Sequence, residues 1–334
     1  MLIRMLDRIR DFSDLLPEVY RVNDSTLDLY AALVMAIFLV LPPLCMYLLT
    51  TDRRELVEAV DEPELLAPEQ LVSPSRSYDF MEQLATGDLC DVYKATSDDG
   101  TFILKVPRVT HINELLENES NVLQDLIHKS HDDLYAEYLP QSVESFRIDV
   151  IRVNAFQWRD GFYSAEEILK RHPQGLDGRH IAWMFKRTLE VLGFTHNNGW
   201  IHGAVLPPHL MFHPENHGLQ LVDWIHAQRV NSPLHVVPNR FKSCYPPECW
   251  KSRYAGPSVD IYLAAKSMVF LAGGDPLKNV IPARIPDEIR QFLARCLGED
   301  SKVRGQDAWQ LHEEFTELLA AIYGPPKFHE LKMC

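Results

Sequence analysis

The chain has 334 residues, of which 46% are hydrophobic and 24% charged, with a formal net charge of −14. That composition excludes wholesale disorder, and the length allows one large or two medium domains with a substantial core. An acidic balance without a long Lys/Arg run excludes a protein built to track a phosphate backbone, so nucleic acid is not an expected partner.

Residues 1–26 place Leu2, Met5, Leu6, Ile9, Phe12 and Leu16 at helical spacing, an amphipathic segment suited to a membrane interface or to packing on protein. Leu29–Leu49 then runs for 21 residues without a charge. At about 1.5 Å per residue this crosses a bilayer core of roughly 30 Å, so 27–50 is expected to be a transmembrane helix, kinked at Pro42-Pro43. A buried apolar hairpin broken at those prolines is the alternative. Arg10 and Arg21 precede the span and Arg53 and Arg54 follow it, so flanking charge sets no orientation. From 51 to 77 the composition is acidic and proline-bearing, the pattern of a tether.

The stretch 78–323 is one domain's worth of chain, expected to be α+β and two-lobed, with parts at about 78–153 and about 154–323 and a tail at 324–334. Tyr78–Ala95 and Thr101–Val106 read as short strands around a Ser-Asp-Asp-Gly turn at 97–100. Glu114–Ile127 has helical spacing, and His180–His196 is a strongly amphipathic helix. Leu-Met-Phe and Leu-Gln-Leu-Val flank His-Pro-Glu-Asn-His-Gly at 213–218, the signature of a small hairpin. The last hundred residues are mostly helical in pattern.

Six cysteines, at 45, 90, 244, 249, 296 and 334, form no Cys-x-x-Cys pair, which leaves a zinc site unsupported and fits a reducing compartment. His209, His213 and His217 are the closest-spaced histidines and the one weak candidate for metal ligation. The loop Trp200–Phe212 combines His202, Gly203 and two prolines with no carboxylate.

The order of these elements, with residues at fixed points, resembles the protein kinase-like superfamily over most of 78–319. Ala-Thr-Gly-Asp-Leu-Cys-Asp-Val-Tyr-Lys-Ala, 85–95, stands where that family has its glycine-rich loop. Gly87 is kept, and Ala85 and Cys90 replace the other two glycines. Phe-Ile-Leu-Lys ends in Lys105, which the resemblance makes the phosphate-binding lysine, with Glu119 the helix glutamate that orients it. Aligned on His202, the catalytic loop has Ala204 in place of the base, Leu206 in place of the lysine and His209 in place of the metal-binding asparagine. A methyl group accepts no proton, and imidazole is a poor ligand for a hard cation. Asp223 matches the magnesium-binding aspartate, but Trp224 and Ile225 follow it where the family has phenylalanine and glycine. The resemblance also makes Asp260 a brace for the catalytic loop and pairs Glu248 with Arg304.

What the resemblance implies is a membrane-anchored degenerate member, a pseudokinase without a catalytic residue. It would serve as a binding, scaffold or allosteric module with a protein partner, single-pass, its kinase-like domain cytoplasmic. ATP, with Mg2+ on Asp223, is the implied ligand of Gly87, Lys105, Glu119 and Asp223. The alternative is an active atypical phosphotransferase or nucleotidyltransferase using ATP through Lys105 and Asp223, with Glu215 or a nearby histidine as base. A third reading puts the essential function in residues 1–77, with the domain as a docking surface.

Overall fold

A computed structural model of the chain describes residues 70–130, 135–234, 236–251 and 254–333, all within one compact unit, Leu65–Cys334. The amphipathic segment 1–26, the apolar span 27–50 and the tether as far as 69 lie outside the described residues. Among the described residues, no helix is long and apolar enough to cross a membrane.

The architecture is α+β, a curled antiparallel sheet followed by a helical part. Strands β1 (Gln70–Val72), β2 (Ser77–Thr86), β3 (Cys90–Ser97), β4 (Gly100–Pro107), β5 (Ser142–Ile148) and β6 (Ile151–Gln157) pair in the order β1-β2-β3-β4-β6-β5. Alternation decides the faces. Phe102 and Leu104 on β4 join Tyr78, Tyr93, Ala95, Phe146, Val153 and Ala155 in a small core on one side of the sheet, and Lys105 is displaced to the other.

Strand β1 corrects the extent of the tether. Its Leu71 is buried opposite Tyr78, and a turn closed by Ser73 N to Arg76 O, 2.8 Å, brings the chain back as β2. Glu144 on β5 accepts from the hydroxyls of Ser73, Ser75 and Tyr78 at 2.7, 2.7 and 2.6 Å. Only one of the three β1 residues faces inward, too few to stand out from linker composition. The expected division at 153/154 likewise falls inside β6, which pairs with both β4 and β5.

Helix α1 (Asn113–Lys129) crosses behind the sheet. Its Leu116 packs with Cys90, Ile112 and Ile225, while Val122, Leu123 and Leu126 enter the core of the helical part. That part begins with β7 (Tyr163–Ser164) and α2 (Ala165–Arg171), started by a Ser164–Glu167 capping box. Helix α3 (Gly178–Asn197) follows, its first N–H groups taken by Asp177. Next come β8 (Trp200–Ile201), the hairpin β9 (Leu210–His213) and β10 (Gly218–Leu221), and β11 (Gln228–Arg229), which pairs with β8. The α-helices that follow are α4 (Glu248–Lys251), α5 (Pro257–Leu271), α6 (Asp287–Cys296), α7 (Ser301–Arg304) and α8 (Ala308–Tyr323). Nearly every residue of α5 is buried, so it is the central helix on which the loops are hung.

Candidate functional site

The odd face of β4 delivers Lys105 into a buried position, and the inner face of α1 delivers Glu119 beside it. The Lys105 Nζ lies 2.8 Å from Glu119 Oε1 and also contacts Asp223 Oδ1. Glu119 Oε2 accepts from Asn154 Nδ2 at 3.0 Å, and Asn154 in turn donates to Leu116 O at 2.9 Å and accepts from Ser145 Oγ at 2.7 Å. The lysine is thus fixed through its partner's partners. Burial works against its charge, but Asp223 and then Glu119 outweigh that and hold its pKa above the ordinary lysine value.

Asp223 follows β10 in the left-handed region, φ 69° and ψ 56°. Its second oxygen, Oδ2, meets His209 Nε2 at 3.1 Å and His226 Nε2 at 3.5 Å. Burial opposes the carboxylate here too. Lys105 first, then His209 and His226, nevertheless keep the pKa well below the usual 3.8. His209 Nδ1 donates to the Ala204 carbonyl at 2.8 Å, so both of its ring nitrogens face oxygen. Burial lowers its pKa, with Asp223 pulling the other way.

The loop 202–209 is held from below by α5. Asp260 Oδ2 accepts from His202 N at 2.7 Å and Oδ1 from Gly203 N at 2.8 Å, with His196 Nε2 3.0 Å away. Gly203 has φ +77°, and a Cβ there would lie 2.7 Å from His226 O, so glycine is required for both reasons. Tyr245 donates to Gly203 O at 2.7 Å and Ser267 to Val205 O at 3.0 Å. His202 donates through Nε2 to Val222 O at 3.0 Å, its edge against Trp224, and burial brings its pKa down to about 3. Ala204 and Leu206 are buried in the core. Glu248 contacts Arg304, whose guanidinium sits 4.9 Å from the Tyr262 ring.

Lys105, Glu119 and Asp223 therefore meet. Gly87 is not among their contacts: it forms the β2–β3 turn, its N–H bonded to Cys90 O at 2.9 Å, where a Cβ would clash with that oxygen at 2.7 Å. The neighbouring Asp88 accepts from Asn239 N at 2.6 Å and ties the turn to the helical part. Cys90 is buried, and its thiol is pushed up to about 12.

Two weaker candidates, the three histidines as a set and Glu215, are not brought to the cluster. His209, His213 and His217 do not converge: His209 faces Asp223, His213 packs edge-on against Phe162, and His217 stacks on Trp183. Among the described residues no group of three His, Cys, Asp or Glu is arranged to hold a metal ion. Glu215 is exposed in the β9–β10 turn and makes no contact with this cluster. His226 and Asn154 are the members that sequence reading passed over. His226 carries one available signal, its place three residues after Asp223.

These residues do not fit magnesium as arranged. The ion needs several oxygens at close range, yet Asp223 Oδ1 is engaged by an ammonium and Oδ2 by imidazoles, and His209 adds nitrogen where an oxygen is wanted. Compared with protein-family models the chain matches none, and compared with curated proteins it matches none.

Proposed function

We propose that the chain is a degenerate protein kinase-like protein that works by binding and allosteric regulation, not by phosphoryl transfer. The observation that carries this reading is the state of the Asp223 carboxylate beside Ala204. One oxygen is engaged by Lys105 and the other is covered by the rings of His209 and His226, and the buried methyl group of Ala204 offers no base. The frame around it supports the same reading: a Lys–Glu pair behind the sheet, an aspartate on the central helix gripping the loop backbone, and a Glu–Arg contact at α4 and α7. Such a frame without the working groups is what a module keeps when its fold is used and its chemistry is not. Residues 27–50 are proposed as its single-pass membrane anchor and a protein as its partner. A nucleotide phosphate would reach Lys105 only by displacing Asp223.

The test is thermal unfolding of the full chain with ATP, with and without Mg2+, beside a radiolabel-transfer assay to protein and small-molecule acceptors. The expected result is no Mg2+-dependent rise in Tm and no label transfer. Label transfer by the native chain that disappears in Asp223→Ala would overturn the proposal in favour of an active transferase.

A further inference from the structure

After α8 the chain does not leave the helical part. Residues 328–333 fold back over α3 and the β9–β10 turn. Trp183 of α3, His217 of the turn and Phe328 form a three-ring stack, with centroids 4.1 Å apart for the first pair and 4.3 Å for the second. His217 Nε2 donates to His329 O at 2.7 Å, and Arg171 Nη1 donates to Met333 O at 3.1 Å. Leu331 is only 3% exposed and belongs to the same core as α3. An aromatic, a leucine three residues on and two main-chain carbonyls are thus read by groups already in place.

We propose that the groove between α3 and the β9–β10 turn is a docking groove for an aromatic-x-x-leucine segment, filled here by the chain's own residues 328–333, and that acidification releases this segment. The groove is lined with imidazoles that work in the neutral form. His180 Nδ1 accepts the Trp183 indole N–H at 3.3 Å, which fixes the ring that the stack is built on. Protonating Nδ1 removes that acceptor and sets one N–H against another. The groups that lower the pKa of these rings are His172 and His329 for His180, and His180, Arg187 and His329 for His217. Arg179 Nη1 lies 3.5 Å from His329 Nε2. Asp177 is the one carboxylate acting on the pair. An imidazolium at His217 would gain a cation–π contact with Trp183, so His180 carries the larger share of the effect.

Burial lowers the pKa of both rings below the ordinary 6.5. The segment's His329 lowers that of His180 further, while its carbonyl, accepting from His217, works the other way on that ring, so the linkage to docking rests on His180. A histidine depressed on docking favours the docked state while it is neutral. Docking is therefore strongest above pH 6.5 and weakens as pH falls below it, by at most about tenfold per pH unit for the proton His180 takes up.

Hydrogen exchange of the full chain tests this, reading the peptide over 326–333 at about pH 7.5 and about pH 5.5, each corrected for the intrinsic rate. Protection of that peptide should fall several-fold, up to about tenfold, while α8 keeps its own. His180→Gln retains an acceptor for Trp183 but cannot titrate, and should reduce the fall to about twofold or less. Leu331→Ala should free the segment at both values. Equal protection of the native segment at both pH values would overturn the proposal, as would an unchanged fall in His180→Gln or continued protection in Leu331→Ala.

Discussion

Asp223 shows how one side chain can be held ionised by its neighbours. Its ionised form is disfavoured by burial, yet Lys105 and two imidazoles reverse the balance. A carboxyl whose folded pKa is depressed contributes stability that is present above its unfolded value and is lost as pH falls through the folded one. The unfolded value here is the ordinary 3.8, so native stability should decline on acidification below about pH 5. Asp223→Asn removes both the charge and the linkage. In urea denaturation it should cost about 2–4 kcal/mol near neutral pH and flatten the acid limb of the stability profile. An acid limb as steep as that of the native chain would place the linked proton elsewhere.

The loop 202–209 is ordered by the helix beneath it more than by its own sequence. Asp260 answers two consecutive backbone N–H groups that the tight turn at Gly203 leaves without intraloop partners, with Tyr245 and Ser267 answering two carbonyls. Asp260→Ala would leave those two N–H groups buried and unsatisfied, at a cost of about 3–5 kcal/mol. The measurement is the urea midpoint, read with the pH titration of His202 by NMR. If the loop loosens as expected, relief of burial, the larger effect, raises the His202 pKa from about 3 toward its ordinary value against the loss of the Asp260 charge, which holds it up. A His202 that still titrates near its native value would mean the loop holds itself.

Sheet and helical part are joined through the main core, which Phe156 of β6 and Val122, Leu123 and Leu126 of α1 enter, and by a few polar ties and one small apolar cluster. The ties are Lys105 to Asp223, Asn118 Nδ2 to Ala227 O at 2.7 Å, Trp200 Nε1 to Asp125 at 2.6 Å and Asn239 N to Asp88 at 2.6 Å. The cluster is Ile225 from the helical part, seated among Cys90, Ile112 and Leu116. A regulatory module of the proposed kind would act by making and breaking these ties beside the shared core. Ile225→Ala should destabilise the chain by about 2–4 kcal/mol and speed hydrogen exchange at 86–92 more than in α8. Uniform acceleration across both regions would mean that the two parts open only together.

Much of this was legible along the chain. The order of strands and helices followed from apolar periods, because a helix or a strand shows its buried face in every few residues. Lys105 stood out as a charge among apolar neighbours that needs a carboxylate, while Glu119, Asp223 and the missing carboxylate at Ala204 were picked out by the resemblance to the protein kinase-like pattern. What the chain order did not reveal was partnership between residues distant in sequence. Strand β1 has one inward side chain and gained its identity from Tyr78 and Glu144. His209 read as a lost ligand until the fold set it against Asp223 Oδ2, and 328–333 read as a tail until Leu331 was placed beside α3. Periodicity belongs to a segment and survives in one dimension. Charge compensation and docking depend on which segments the core brings together.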